Sequence, residues 1–204
     1  ELPHPKTWIF YNRNEALKAT KTMKLPLVGK INIGASGDGV QNLHTKDQVK
    51  KYIEKAFSEG LVSRTGPKLR QRKLIQRAWQ KFTHPKELIN RLKIYRDVAM
   101  NSQKGFILLQ EFIKHDYEWR VVRIGDSFFA HKKIVSNEKA SGTLVKEYGD
   151  PPKELLDFVR SLTDKFKFRS VAVDVFEPVQ GQYLINEIQC IFGQSDPYQM
   201  LVDG

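Results

Sequence analysis

Three oxygen-bearing side chains near the C-terminus form the part of this sequence best suited to chemistry. In "VAVDVFEPVQGQYLINEIQ", residues 171–189, Asp174 and Glu187 lie on two predicted strands joined by a short turn, and Gln189 follows two positions after Glu187. Side chains two positions apart on a strand point to the same face. If Asp174 pairs onto that face, two carboxylates and an amide oxygen converge, which is the ligand chemistry of Mg²⁺.

The alternative for these residues is a pair of solvated acids on an edge hairpin. Asp174 argues against it, because it interrupts the apolar strand "VAVDVF", where a solvated acid is less expected. Glu187 and the adjacent amide Asn186 lie between Ile185 and Ile188, and burial of the Glu187 carboxylate is costly unless a basic side chain, a metal ion or solvent compensates it.

A lysine before a glycine-rich turn is a second candidate site. In "KINIGASGDG", residues 30–39, small residues let backbone N–H groups approach an anion, and the lysine supplies a point charge. The candidate phosphate contacts are Lys30, Gly34, Ser36, Gly37 and Gly39. The lysine precedes the glycines, so this is not a Walker A loop. A glycine-rich turn with no ligand is the other interpretation.

The composition is that of a globular protein. The chain has 204 residues, 40% hydrophobic and 28% charged, which allows one large domain or two small ones. No apolar run approaches the roughly 18 residues that a membrane span needs. The single Cys190 excludes an internal disulfide and favours a reducing, cytoplasmic setting.

The formal charge of +11 is concentrated in one segment. Residues 60–104 hold 12 Lys or Arg against 2 Asp or Glu. This segment is either a solvated insertion or a surface that binds an anionic substrate. No nucleic-acid-binding motif accompanies the charge, which argues against a nucleic acid partner.

The predicted elements must position these residues. We expect a helix over 14–21, a strand over 25–34 and a helix that begins with a capping box of Thr45 and Gln48. Two helices follow in the basic segment. From residue 105 the pattern predicts strands, then a helix capped by Asp150 and a final hairpin near Gly181. Helices and antiparallel strands in separate groups predict an α+β fold in two lobes.

The middle of the chain, "ILLQEFIKHDYEWRVVRIG" (107–125), resembles the ATP-grasp superfamily, which includes D-alanine–D-alanine ligase and ribosomal-protein glutamate ligases. On that pattern "LLQEFI" is similar to the hinge that holds adenine, formed here by Gln110, Glu111, Phe112 and Ile113. Glu118 matches the ribose-binding carboxylate. The resemblance also implies that Lys30 contacts the α-phosphate and that the glycine-rich turn is the lid. Asp174 and Glu187 match the strands that carry the Mg²⁺ ligands, and Gln189 would be the third ligand.

The resemblance implies an ATP-grasp fold of two α+β lobes with ATP between them. Residues 1–108 would form the small lobe, with 60–104 as a basic helical insertion, and residues 109–204 the large lobe. The substrate-binding lobe that usually precedes these is not in this sequence. We therefore expect a fragment, or a chain whose N-terminal part is not included. Dimers are common in the superfamily, so a homodimer stays open.

Two departures from the family pattern affect the expected chemistry. Gln189 stands where asparagine is usual, and Ala172 stands where several members have an arginine that steadies a tetrahedral intermediate. Arg120, Lys132 and Lys133 are the residues that could supply this charge instead.

The function implied by the resemblance is that of an ATP- and Mg²⁺-dependent ligase. A substrate carboxylate would be activated as an acylphosphate and joined to an amine or a similar nucleophile. The expected substrates are small-molecule or peptide carboxylates and amines. Two alternatives stay open: a kinase of the same fold acting on an anionic hydroxyl substrate, and a non-catalytic nucleotide-binding protein.

Overall fold

Helices and two antiparallel sheets alternate along the chain in the computed structural model, which describes residues 2–32, 39–62, 102–135 and 145–192 and the backbone of 200–202. The elements in chain order are β1 (Thr7–Phe10), α1 (Arg13–Ala19), β2 (Leu27–Lys30), β3 (Val40–Leu43), α2 (Lys46–Phe57), β4 (Ile107–Glu111), β5 (Tyr117–Ile124), β6 (Ser127–Ile134), β7 (Lys146–Glu147), α3 (Lys153–Lys165), β8 (Ser170–Val179), β9 (Gln182–Gln189) and β10 (Met200–Val202). The α+β fold expected from the sequence is confirmed. The predicted helices of the basic segment lie outside the described residues.

The chain divides into two compact units. The small unit comprises Trp8–Gln110, and the large unit comprises Glu1–Thr7 together with Glu111–Gly204.

A four-stranded sheet in the order β1-β4-β2-β3 forms the framework of the small unit. Both of its described helices begin with a side-chain cap: Asn12 accepts backbone hydrogen bonds at the start of α1, and Thr45 and Gln48 form the predicted capping box at the start of α2. The apolar face of α2 packs against the sheet. The buried core includes Leu27, Leu43, Val49, Ile53, Ile107 and Leu109.

In the large unit the strand order is β10-β6-β5-β8-β9, with β7 pairing onto β6. Alternate residues of β5 and β8, including Trp119, Val121 and Val173, point to the face that α3 covers. Leu155 and Val159 of α3 are fully buried in this core. The other face of the sheet carries Glu118, Arg120 and Asp174, so the two faces have different compositions.

The start of α3 differs from the prediction. Asp150 does not cap the helix, which begins at Lys153 after Pro152, with no side-chain hydrogen bond at its cap. Proline disfavours helical geometry in the residue before it. Asp150 and Pro151 each precede a proline, so the helix starts only after both prolines.

Among the residues that the structure describes, no helix combines the length and the apolar character needed to cross a membrane.

The position of Lys30 depends on the glycine that precedes it. The ring of Tyr52 lies directly over Gly29, where an added Cβ would be 2.6 Å from the ring Cζ atom. The Tyr52 hydroxyl donates a hydrogen bond of 3.2 Å to the Lys30 carbonyl. Because Gly29 has no side chain, a buried tyrosine of α2 can reach across β2 and hold the end of this strand.

We therefore expect Gly29→Ala to destabilise the protein. The added methyl group would displace the Tyr52 ring, and overpacking of this kind costs about 1–3 kcal/mol. Gly149→Ala is the matched control, because nothing lies within 4 Å of its added Cβ. Denaturant unfolding of the two variants measures the difference. Equal unfolding free energies for both would contradict the close contact at Gly29.

Candidate functional site

A cluster of charged side chains occupies the face of the large sheet opposite α3. Register pairs Glu118 with Lys133 across β5 and β6, and Arg120 with Asp174 across β5 and β8. Directly paired residues on neighbouring strands share a face. Glu118 and Asp174 are only 1% and 2% exposed, and Lys133 is also buried. Two acids and two bases from three strands therefore lie together on a single face.

One ammonium group joins the two buried carboxylates. Lys133 Nζ lies 2.8 Å from Glu118 Oε2 and 2.7 Å from Asp174 Oδ2. Burial of an unpaired charge is costly, and this shared contact offsets part of that cost for all three groups.

Arg120 extends the cluster to strand β9. Its Nη1 atom lies 3.4 Å from Asp174 Oδ1, and its Nη2 donates a 3.0 Å hydrogen bond to Gln189 Oε1. The Arg120 side chain is 16% exposed, against 2% for Asp174. Arg120 is therefore a cationic group of the cluster that solvent, and hence a ligand, can reach.

A bulge in β9 brings two neighbouring side chains to the charged face. Val175 pairs with Ile185 and Asp174 with Glu187, so Asn186 is the extra residue. Asn186 Nδ2 donates a short hydrogen bond to Glu118 Oε1. Glu187 is exposed and lies opposite Asp174. Strict alternation would place Asn186 on the face opposite Glu187, and the bulge prevents this.

Asn186 is a member of the site that the sequence analysis missed. The only signal was an amide beside a carboxylate within an apolar strand. The three predicted oxygen ligands do share a face. Register places Glu187 opposite Asp174 and Gln189 opposite Ala172, which is two positions before Asp174 on β8. That arrangement follows from pairing across β8 and β9.

Burial raises the pKa of Asp174 to about 6, and the negative charge of Glu118 acts in the same direction. Lys133 and Arg120 oppose this shift without cancelling it. The reason is that one buried ammonium serves two carboxylates, while the second cation is more distant.

The predicted pair of lysines is split between the two faces of the sheet. Lys132 lies opposite Trp119, and its Nζ atom is 4.2 Å from the centroid of the Tyr117 ring and 5.1 Å from that of Trp119. These are cation–π distances. Strand alternation makes this separation unavoidable, so Lys133 alone joins Arg120, and the prediction of Lys132 as an alternative catalytic charge is corrected.

The predicted hinge residues, 110–113, span the position where the chain passes from the small unit to the large unit. Glu111 Oε1 accepts a hydrogen bond of 2.7 Å from the Lys6 backbone N–H, and the Ile113 carbonyl accepts one of 2.6 Å from His115 Nδ1. Gln110 is buried and Phe112 is half-buried. The Glu111 carboxylate therefore fastens the N-terminal segment to the end of β4.

Of the predicted phosphate contacts, Lys30 and Gly39 lie within the described residues. Lys30 ends β2, and the Gly39 carbonyl accepts a 3.0 Å hydrogen bond from the Ile31 N–H, which closes the base of the turn. Gly34, Ser36 and Gly37 lie outside the described residues.

Comparison with solved structures identifies the architecture. The chain superposes on a RimK-domain ATP-grasp protein from Sphaerobacter thermophilus with a TM-score of 0.55 and 14% identity, covering 93% of this chain and 54% of that one. The ADP complex of PurK, an N5-carboxyaminoimidazole ribonucleotide synthetase, superposes with a TM-score of 0.56 at 16% identity, covering 93% of this chain and 41% of PurK. The ATP-grasp ligase PsnB, with a precursor peptide and AMPPNP, superposes with a TM-score of 0.53 at 15% identity, covering 94% of this chain and 46% of PsnB.

The chain has an ATP-grasp fold. It spans about half the length of these structures, between 41% and 54%. No protein-family model and no curated protein matches the sequence. The ATP-grasp resemblance seen in the sequence is confirmed for the fold.

The chemistry of the charged face suits a magnesium ion beside phosphate groups. Asp174, Glu187 and Gln189 offer carboxylate and amide oxygens, the ligands of hard cations. Within the described residues no group of three or more His, Cys, Asp and Glu side chains is arranged to hold a metal. The predicted set has only two carboxylates, so substrate oxygens or water would have to complete a Mg²⁺ shell, as is usual for this ion.

The raised pKa of Asp174 predicts a pH-dependent stability. Its ordinary value is 3.8, so between that pH and about 6 the folded protein binds more protons than the unfolded chain. The contribution of Asp174 to stability is therefore fully present below pH 3.8 and is lost as the pH rises through about 6. A shift of this size corresponds to a loss on the order of 2–3 kcal/mol.

Asp174→Asn should remove this loss. We expect the unfolding free energy of the wild type, minus that of Asp174→Asn, to decrease between about pH 4 and 6 when both are measured in EDTA. Asp157→Asn, at an exposed position of α3, is the control and should leave the pH profile of the wild type unchanged. A constant difference between wild type and Asp174→Asn across this range would refute the raised pKa.

Proposed function

We propose that this chain is the nucleotide-binding part of an ATP- and Mg²⁺-dependent ligase that joins a carboxylate to an amine. The observation that carries the proposal is the charged cluster of Glu118, Lys133, Asp174 and Arg120 on one face of an ATP-grasp sheet. Such a cluster offers cations to a polyphosphate and carboxylates to a divalent ion on the same surface.

The structures of similar fold favour ligation over other uses of ATP. PurK is a ribonucleotide synthetase that was solved with ADP, and PsnB is a ligase that was solved with a precursor peptide and AMPPNP. The macrocyclase MdnC of Microcystis aeruginosa was also solved with its precursor peptide. A peptide carboxylate is accordingly one candidate substrate, beside small carboxylic acids.

The proposed reaction has two steps. An oxygen of the substrate carboxylate attacks the γ-phosphorus of ATP, the bond from this phosphorus to the β–γ bridging oxygen breaks, and ADP leaves. The product is an acylphosphate. An amine then attacks its carbonyl carbon, loses a proton and expels inorganic phosphate, which leaves an amide.

In this scheme Arg120 and Lys133 supply the positive charge that stabilises the transferring phosphoryl group. Asp174, Glu187 and Gln189 would hold Mg²⁺, which supplies further positive charge at the phosphates when it is bound. Glu187 is suited to this role because it is exposed and lies opposite Asp174.

The remaining assignments extend this proposal. Lys30 and the glycine-rich turn would contact phosphate, and the hinge from Gln110 to Ile113 would contact adenine. A ribose contact to Glu118 would require one of its two oxygens to exchange its present partner, Asn186 or Lys133, for a hydroxyl group.

Product analysis distinguishes the ligase from its alternatives. With pairs of carboxylates and amines, a ligase should release ADP and phosphate in equal amounts only when both substrates are present. Transfer of phosphate to a single hydroxyl substrate, with ADP but no free phosphate, would replace the proposal by a kinase. Tight binding of Mg-ATP with no turnover in any pair would replace it by a non-catalytic nucleotide-binding role.

Glu187→Gln tests the magnesium assignment. Loss of a ligating carboxylate should lower Mg²⁺-dependent ATP turnover by roughly 100-fold or more, since even indirect partners of a metal contribute 10- to 100-fold. The fold should persist, because Glu187 is exposed. Glu147→Gln is the matched control, being an exposed carboxylate of the same sheet that pairs with Lys132 and so lies on the opposite face. Undiminished turnover in Glu187→Gln would exclude Glu187 as a ligand.

A further inference from the structure

We infer that Asn186 is a positioning residue that fixes the Lys133 ammonium, through Glu118, for the anionic tail of the bound nucleotide. This inference rests on the proposed function, because it assumes that phosphate groups bind at the charged face. It concerns a residue that would itself touch neither the nucleotide nor the metal.

The geometry connects these three residues in a line. Asn186 Nδ2 donates to one carboxylate oxygen of Glu118, Oε1. The other oxygen, Oε2, lies 2.8 Å from Lys133 Nζ. Glu118 is 1% exposed, so a ligand in solution does not reach it in this arrangement. Its two oxygens are divided between an amide and an ammonium.

This division determines where the ammonium lies. A carboxylate held at one oxygen only can rotate about its last side-chain bond, and either oxygen can then face the lysine. With Asn186 in place the carboxylate plane is defined, and the lysine contacts Oε2. The same ammonium lies 2.7 Å from Asp174 Oδ2, so the position of Nζ is set from two sides.

The bulge in β9 is what brings Asn186 to this position. Without the extra residue, alternation would send the side chain beside Glu187 into the core that α3 covers, as it does for Ile188 opposite Val173. Bulges commonly redirect a side chain next to a functional site. Here the bulge interrupts the backbone pairing of β8 with β9, and its result is a hydrogen bond from the Asn186 amide to the buried Glu118 carboxylate.

In a purely structural role, Asn186 would supply a hydrogen bond to the buried Glu118 carboxylate and would not affect nucleotide binding. The two roles differ in what they do to nucleotide binding. A positioning role affects ligands in proportion to their contact with Lys133, so it acts on the phosphate tail. A structural role lowers stability and leaves the preference among nucleotides unchanged.

The test compares ATP with AMP, which has the same base and ribose but lacks the β- and γ-phosphates. Calorimetric titration with each nucleotide, in the presence of Mg²⁺, gives the ratio of the two affinities for the wild type and Asn186→Leu. We expect the ATP affinity to fall by up to roughly tenfold in the variant, because a Lys133 ammonium that is no longer fixed must be ordered when the phosphates bind, while AMP affinity stays within twofold. Gln182→Leu, an exposed amide change on the same strand, should alter neither affinity.

The outcomes separate this inference from the proposed function. A wild type that binds ATP no better than AMP would refute both. A wild type that prefers ATP, with the same preference in Asn186→Leu, would refute the role of Asn186 alone. If Asn186→Leu does not fold, Asn186→Ser provides the same comparison, because its hydroxyl is too short to span the contact to Glu118.

A double-mutant cycle tests whether Asn186 acts through Glu118. In a Glu118→Gln background, Asn186→Leu should change the ratio of ATP to AMP affinity by less than twofold, since the carboxylate that it orients is already gone. A full tenfold effect in that background would overturn the proposed connection.

Discussion

The contact of one lysine with two buried carboxylates ties three strands of the large unit to one register. Glu118, Lys133 and Asp174 come from three adjacent strands, and removal of Lys133 would leave Asp174 with the more distant Arg120 and Glu118 without this ammonium. Their contacts require that β5, β6 and β8 keep a single register. A slip by one residue would turn the charged side chains toward the apolar core and the apolar ones toward the cluster.

The two faces of the sheet divide stability and chemistry between them. Under α3, alternate residues such as Val121 and Val173 are completely buried and hold the strands in register. That apolar packing offsets the free-energy cost of burying the charged cluster on the other face. Lys132 and Lys133, adjacent in the chain, illustrate the division: the first lies over two aromatic rings, and the second lies between two carboxylates.

The cluster is graded from its interior to its surface, and this suits the proposed ligands. Glu118 and Asp174 are almost inaccessible, Arg120 is partly exposed, and Glu187 is exposed beside them. Charges held by neighbours in a dry environment need little rearrangement when a ligand arrives, which is how preorganised sites stabilise developing charge. A polyphosphate with its divalent ion carries both negative and positive charge, and the surface provides cationic side chains for the first and carboxylates for the second.

Much of the fold could be predicted from local sequence, because the relevant interactions are short in range. The capping box of Thr45 and Gln48 and the hairpin turn at Gly181 depend on neighbouring residues and were correctly predicted. The prediction that Asp150 caps a helix was wrong, because the two prolines after it delay the start of the helix to Lys153.

The sequence by itself determined which residue types are available, the order of the elements and the shared face of Glu187 and Gln189. Only the tertiary structure decided that Lys133 rather than Lys132 joins the cluster, that Glu111 holds the N-terminal segment, and that a bulge directs Asn186 to Glu118. The physical reason is distance along the chain. Local propensity is set by near neighbours, whereas a buried ion pair forms only after strands far apart in sequence have aligned and excluded water.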